Sequence, residues 1–294
     1  MRFDTAISGK PAVSVVVSFY NKIDELRMIL AALERQSFAS FEVVIADDGS
    51  RQSVVDEIRK LQQASPFPIQ HLWQEDRGFR KTAILNEALR KAKADYMIFI
   101  DGDCLPHRKF VEEHYAHRQA KQVLAGRRVN LSPRMTAGMN VEKIRAGLLE
   151  SAFFTLDFFA DSVFGKTSHA VKGLYVRNRL LRNFLNRKVK SILGCNFSIH
   201  RQDLLDINGF DERYKAPAAG EDCDIEVRLR WNNVAVKMVK NMAVQYHLHH
   251  QLLERSPVND ALFEQVKSSK QYFTPYGLNK AITTQNELYS SPSA

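Results

Sequence analysis

The chain has 294 residues, 45% apolar and 26% charged, enough for one large α/β domain with a real core, or one domain with an insertion and a tail. Three cysteines without close pairing (Cys104, Cys195 and Cys223) argue against a disulfide framework and fit a reducing compartment; Met1–Pro11 lacks the apolar core of a signal peptide, and no apolar run approaches the ~20 residues that span a bilayer. The formal net charge of +9 points toward nucleic acid, an anionic membrane surface or phosphate-bearing substrates.

Val13–Phe19, VSVVVSF, reads as a buried strand. Asn21 is a candidate cap for a helix marked by Ile23, Leu26, Leu30 and Leu33. Phe41–Ala46 is a second strand, ended by Asp47-Asp48-Gly49-Ser50, and Val54, Val55, Ile58 and Leu61 mark a second helix. Ile69–Trp73 is a third strand, followed by a polar loop from Gln74 to Arg80 and a helix marked by Ile84, Leu85, Ala88 and Leu89. Tyr96–Ile100, YMIFI, is a fourth strand, ended by Asp101-Gly102-Asp103. Alternation of this kind predicts βαβ units: a mostly parallel sheet with helices on both faces.

The second half is less regular. Strands are expected at 123–131, 192–199, 234–239 and 243–246, and helices at 141–159 and 225–231. The tail beyond Leu252 is polar with helical stretches, and Ser290–Ala294 is expected to be disordered. No acidic residue occurs from Ser162 to Gln202, while nine Lys and Arg do, so this stretch carries the whole charge excess. It follows Phe153, Phe154, Leu156, Phe158, Phe159 and Phe164, and apolar residues beside clustered cations suit an anionic lipid surface. A Phe-rich core segment beside a solvated basic face is the plain alternative.

Ligands of parallel sheets bind beyond the carboxyl ends of the strands, where both acidic clusters fall. Asp101-Gly102-Asp103 offers two carboxylates around a glycine, suited to a hard divalent ion that also binds substrate phosphates, or else it is a solvated turn. Asp47-Asp48 is either a turn or an acceptor for a base N–H or ribose hydroxyl. Arg77 and Arg80 have the fork geometry that suits phosphate. Glu221-Asp222 opens an amphipathic helix, where a carboxylate either caps the helix or is held ionised as a general base. In Tyr246-His247-Leu248-His249-His250, His247 and His249 share one side of an extended segment, as metal ligands or as a polar strand end.

Four segments in order resemble family-2 inverting glycosyltransferases of GT-A fold: VSVVVSFYNKIDELRMILAAL with FEVVIADDGS; QEDRGFRKTAILNEALRKAKADYMIFIDGDCLP; LGCNFSIHRQDLLDINGFDERY with GEDCDIEVRLRW; and QYHLHH. The segment that begins at Gln74 is most similar to bacterial galactosyltransferase-like and chondroitin-polymerase-like members. The resemblance implies a GT-A domain over 1–250, with a nucleotide-binding half (1–120), an acceptor-side half (121–250) carrying a basic insertion at 140–190, and a tail (251–294). It assigns Asp48 with Asp47 to the base and ribose, Arg77 and Arg80 to the donor loop, Asp101 and Asp103 to the DxD motif with Asp103 on the metal, and Asp222 to the base, supported by Glu221. His247 matches a histidine that binds the metal in related subfamilies; His249 is its rival, and His250 is expected to point away. One departure is the lack of an aromatic at 216–220, where many relatives place one facing the acceptor.

The expected activity is therefore metal-dependent (Mn2+, or Mg2+) inverting transfer from a nucleotide-sugar donor, a UDP-sugar, to a glycan or lipid-linked glycan in bacterial surface polysaccharide or lipopolysaccharide synthesis. The expected place is the cytoplasm, with the inner face of the membrane as a candidate partner and no nucleic acid. A sugar nucleotidyltransferase would need a glycine-rich loop where Phe19-Tyr20-Asn21-Lys22 stands, and a nicotinamide dehydrogenase would need GxGxxG there. A basic nucleic-acid-binding protein is the non-enzymatic alternative.

Overall fold

The computed structural model describes residues 9–164, 167–217, 220–251 and 257–279. The expectation for Ser290–Ala294 lies outside them.

The strands, in chain order, are β1 (Val13–Phe19), β2 (Phe41–Asp47), β3 (Ile69–Trp73), β4 (Tyr96–Asp101), β5 (Cys104–Pro106), β6 (Gln122–Ala125), β7 (Arg127–Asn130), β8 (Phe197–His200), β9 (Ala235–Met238) and β10 (Val244–His247). Seven form one sheet in the order β3-β2-β1-β4-β8-β6-β9, and β5-β10-β7 form a second, smaller one. All pairs in the large sheet are parallel except those of β8, which runs antiparallel to both β4 and β6.

The period of two in β1 explains the layering. Val13, Val15 and Val17 face one core with Leu26, Ile29 and Leu33 of the helix Ile23–Glu34 and Ile58 of the helix Gln52–Ala64. Val16 faces a second core with Ile84, Leu85 and Leu89 of the helix Lys81–Lys91 and Ile225 and Leu229 of the helix Glu221–Trp231. The sheet is thus covered on both faces, as the alternation predicts. The small sheet packs against the first core through Leu105, Val129, Val244 and Tyr246.

Four expectations change. Residues 123–131 are two strands in different sheets, broken at Gly126, where a Cβ would fall 1.9 Å from Asn196 Oδ1. The helix expected at 141–159 is three pieces, because Gly147 takes φ +96 between Val141–Arg145 and the turn Leu148–Glu150, and a new helix starts at Ala152. Of 192–199 only the last part is strand; residues 192–196 form a loop whose Ile192 and Gly194 N–H groups donate to Glu226 and Asp222. Asn21 is not a cap: it has φ 57, and its Oδ1 accepts from the Arg51 N–H of the neighbouring loop.

Candidate active site

The chain leaves β1 toward β2 and β3 on one side, and β4 lies on the other. This order reversal opens a crevice at the strand carboxyl ends. The registers bring Phe19 beside Asp47 and Ser18 beside Asp101, so the acidic clusters flank the crevice by construction. The cleft there has a volume of about 820 Å³ and is lined by Asp48, Asp101, Asp103, Glu221, Asp222 and His247, among others. Six of the nine side chains expected from sequence thus share one cavity.

The remaining three do not line it. Asp47 is fully buried, its Oδ1 accepting from Ser50 N at 2.9 Å and its Oδ2 lying 2.9 Å from His71 Nε2. It fixes the turn and leaves Asp48 to face the cleft. Arg77 is exposed and paired with Glu75 at 2.6 Å. The Arg80 guanidinium donates to the Glu75 carbonyl, while its backbone N–H donates to Asp48 Oδ2 at 2.8 Å. The loop therefore contributes backbone rather than its arginine heads, and Gly78 and Phe79 reach the cleft instead. Burial pushes the Asp48 carboxyl up, against the hydrogen bonds from Arg80 N and Gln74.

Sequence reasoning passed over Lys81, the residue after Arg80. Its ammonium bridges Asp101 at 2.8 Å and Glu221 at 3.2 Å, tying the end of β4 to the start of the helix Glu221–Trp231. Burial opposes its charge, but the two carboxylates win and hold it firmly protonated. The first turn of that helix carries three acids with separate destinations. Asp224 turns inward to Arg228 at 2.6 Å, and Glu221 takes Lys81. Asp222 accepts from Cys223 N at 2.9 Å and Gly194 N at 3.3 Å and faces the cleft. Burial and the neighbouring Glu221 push its carboxyl above the ordinary value, against Lys81. Arg128 of β7 also lines the cleft. It was missed because a single arginine in a short strand has no local signature.

β5 and β10 run antiparallel with Cys104 opposite His247, and Leu248 N donates to Asp103 O at 2.9 Å. This pairing clamps Asp103 against the histidines. Asp103 lies 3.4 Å from His247 Nε2, 3.1 Å from His250 Nε2 and 3.2 Å from Lys22 Nζ. The expectation that His250 points away is corrected: β10 ends at His247, the extended alternation stops there, and His250 folds back while His249 is exposed. Burial pushes the Asp103 carboxyl up, yet the imidazoles and Lys22 hold it well below the usual range. Burial also brings His247 down to about 4, so it presents a neutral imidazole.

Ligand atoms of Asp103, His247 and His250 all lie within 4.8 Å of one another, and two ring nitrogens face each other at 3.1 Å. One ionised carboxylate with imidazoles is a donor set that fits a divalent transition ion.

The glycosyl transferase family 2 profile matches residues 14–206, and that of the N-terminal domain of galactosyltransferase matches residues 181–251. Chondroitin synthase of Escherichia coli is 31% identical over 103 residues, covering 35% of this chain and 15% of that protein. The chain spans less than a third of the length of the first curated relatives it matches. Mannosyltransferase PcManGT from Pyrobaculum calidifontis, solved with GDP-Man and Mn2+, superposes with TM-score 0.53 at 14% identity, covering 98% of this chain and 77% of that one. TarS 1–349 of S. aureus, solved with UDP, gives 0.52 at 17% identity, covering 88% and 64%. At these identities the likeness is one of fold. The family 2 match over residues 14–206, about two thirds of the chain, establishes that the protein belongs to glycosyl transferase family 2.

Proposed function

We propose that the chain moves a sugar from a UDP-sugar to a glycan or glycolipid hydroxyl with inversion, using Asp222 as base and a divalent ion, Mn2+ rather than Mg2+, at Asp103, His247 and His250. The observation that carries this reading is the convergence of two acidic groups on one cleft. One is an ionised, histidine-flanked carboxylate beside β5 and β10; the other is a half-buried carboxylate at a helix N-terminus.

Asp222 has the attributes of a base. Two backbone N–H groups hold it, the helix field favours its ionised form, and burial raises its proton affinity. It takes the proton of the acceptor hydroxyl as the oxygen bonds to the anomeric carbon and the bond to the donor diphosphate breaks. Lys81 positions Glu221 beside it, and Asp48 is suited to accept from the nucleoside. Asp103, His247 and His250 would hold the cation, which would supply positive charge to offset that of a leaving diphosphate. The imidazoles are the reason to favour manganese over magnesium.

A UDP donor is favoured by the likeness to the TarS–UDP complex, and a polysaccharide acceptor by the likeness to chondroitin synthase. The three free cysteines suit a cytoplasmic setting. Thermal shift and hydrolysis across UDP- and GDP-sugars, each with Mn2+ or Mg2+, test this directly. Stabilisation and hydrolysis greatest with a UDP-sugar and Mn2+ are expected. A response confined to GDP-sugars, or one indifferent to metal, contradicts it.

A further inference from the structure

The helix Ala152–Phe164 is apolar on two faces. Phe154 and Phe158 point into the core, while Phe153, Leu156 and Val163, spaced three and seven residues apart, share the opposite face with Phe164 and lie open to solvent; Phe164 is 91% exposed. The helix Arg179–Leu185 buries no residue, yet carries exposed Leu180, Leu181 and Phe184. Between the two helices and after them lie exposed Val171, Leu174 and Val189. Of the fifteen exposed large apolar side chains among the described residues, ten fall between 153 and 189, about an eighth of the chain. Scattered exposed apolar residues need no explanation, but a concentration on this scale does.

The same surface is cationic. Among the described residues of the acid-free stretch, Arg182 has a carboxylate partner, Glu113, which anchors the segment to the body. Lys172, Arg177, Arg179, Arg187, Lys188 and Lys190 form no ion pair among the described residues. Lys172 is further surrounded by like charge, and its ammonium is pushed down by burial together with Arg127, Lys190 and Lys240.

We infer that this surface docks on an anionic lipid bilayer, with the apolar side chains entering the acyl boundary and the unpaired cations meeting phosphate headgroups. Interleaved apolar and basic side chains without acids are what such an interface selects. A second copy of the chain would set like charges against each other, which disfavours self-association through the same face. The stretch runs on from Val189 to Leu193, Gly194 and Cys195 in the wall of the cleft, so docking brings the bilayer close to the cleft. The inference stands apart from the donor chemistry proposed above.

Flotation of the full chain with phosphatidylcholine vesicles and with equimolar phosphatidylcholine–phosphatidylglycerol vesicles tests it. Binding to the anionic vesicles should be at least about tenfold tighter and should weaken at high salt. Leu180→Ser with Phe184→Ser, on a helix that buries nothing, should lower it about tenfold or more while UDP-sugar hydrolysis persists. Arg179→Glu with Lys188→Glu should abolish the preference for anionic lipid. No binding, equal binding to both vesicles, or a solution dimer that the Ser variant dissolves would overturn the inference. Loss of hydrolysis in the wild-type chain with vesicle binding intact would count against the donor chemistry alone.

Discussion

At the scale of single residues, partners decide what a carboxylate does. Asp222 and Asp224 sit two positions apart in one helical turn, yet Arg228 neutralises Asp224 and no cation neutralises Asp222 within 4 Å among the described residues. Asp222→Asn should lower turnover by about a hundredfold or more with donor binding unchanged. Because its carboxyl is raised, the acid limb of the wild-type rate profile should lie above pH 3.8; a limb at or below that value speaks against Asp222. Lys81→Met leaves Asp101 and Glu221 facing each other without their cation and should cost about 3 kcal/mol of stability, as measured by denaturant melting. His114 offers a separate test. Tyr96 and Ser198 hydroxyls, His114 and Asn196 form a buried chain, in which a neutral ring donates to Asn196 Oδ1 at 3.1 Å and accepts from Ser198 at 2.7 Å. Burial pushes His114 down to about 3, so the unfolded chain binds the proton first. Its contribution is complete above the ordinary value of 6.5 and is lost as pH falls from there toward 3. His114→Gln should flatten that decline in melting temperature.

At the scale of elements, what the sequence made legible follows from periodicity. The runs 13–19, 41–47 and 96–101 announce themselves because buried parallel strands are continuous apolar runs, and their ends locate Asp48, Asp101 and Asp103. The elements misread are those whose form depends on distant partners. Gly126 breaks a strand because Asn196 occupies its flank, and residues 192–196 stay a loop because their N–H groups are taken by helix carboxylates. Lys81 and Arg128 were invisible for the same reason: each acquires meaning from residues far along the chain. His250 was misplaced because alternation was extended past the end of β10. His250→Ala and His247→Ala should each raise the Mn2+ concentration needed for half-maximal hydrolysis, whereas exposed His249 should tolerate alanine without effect. An equal response in all three would remove the cluster from metal binding.

At the scale of the molecule, one sheet with helices on both faces brings Asp48 and Asp101 to the cleft, and the small β5-β10-β7 sheet brings His247 and Arg128 to it. The charge excess lies outside this frame, in the stretch that presents the exposed apolar residues. Among the described residues no helix is long and apolar enough to cross a membrane. The central claim is displacement at the anomeric carbon with Asp222 as base. The most direct measurement is the configuration of the sugar first released from a UDP-α-sugar with Mn2+ present, followed by proton NMR before mutarotation. The account predicts the β-anomer; initial release of the α-anomer would contradict it.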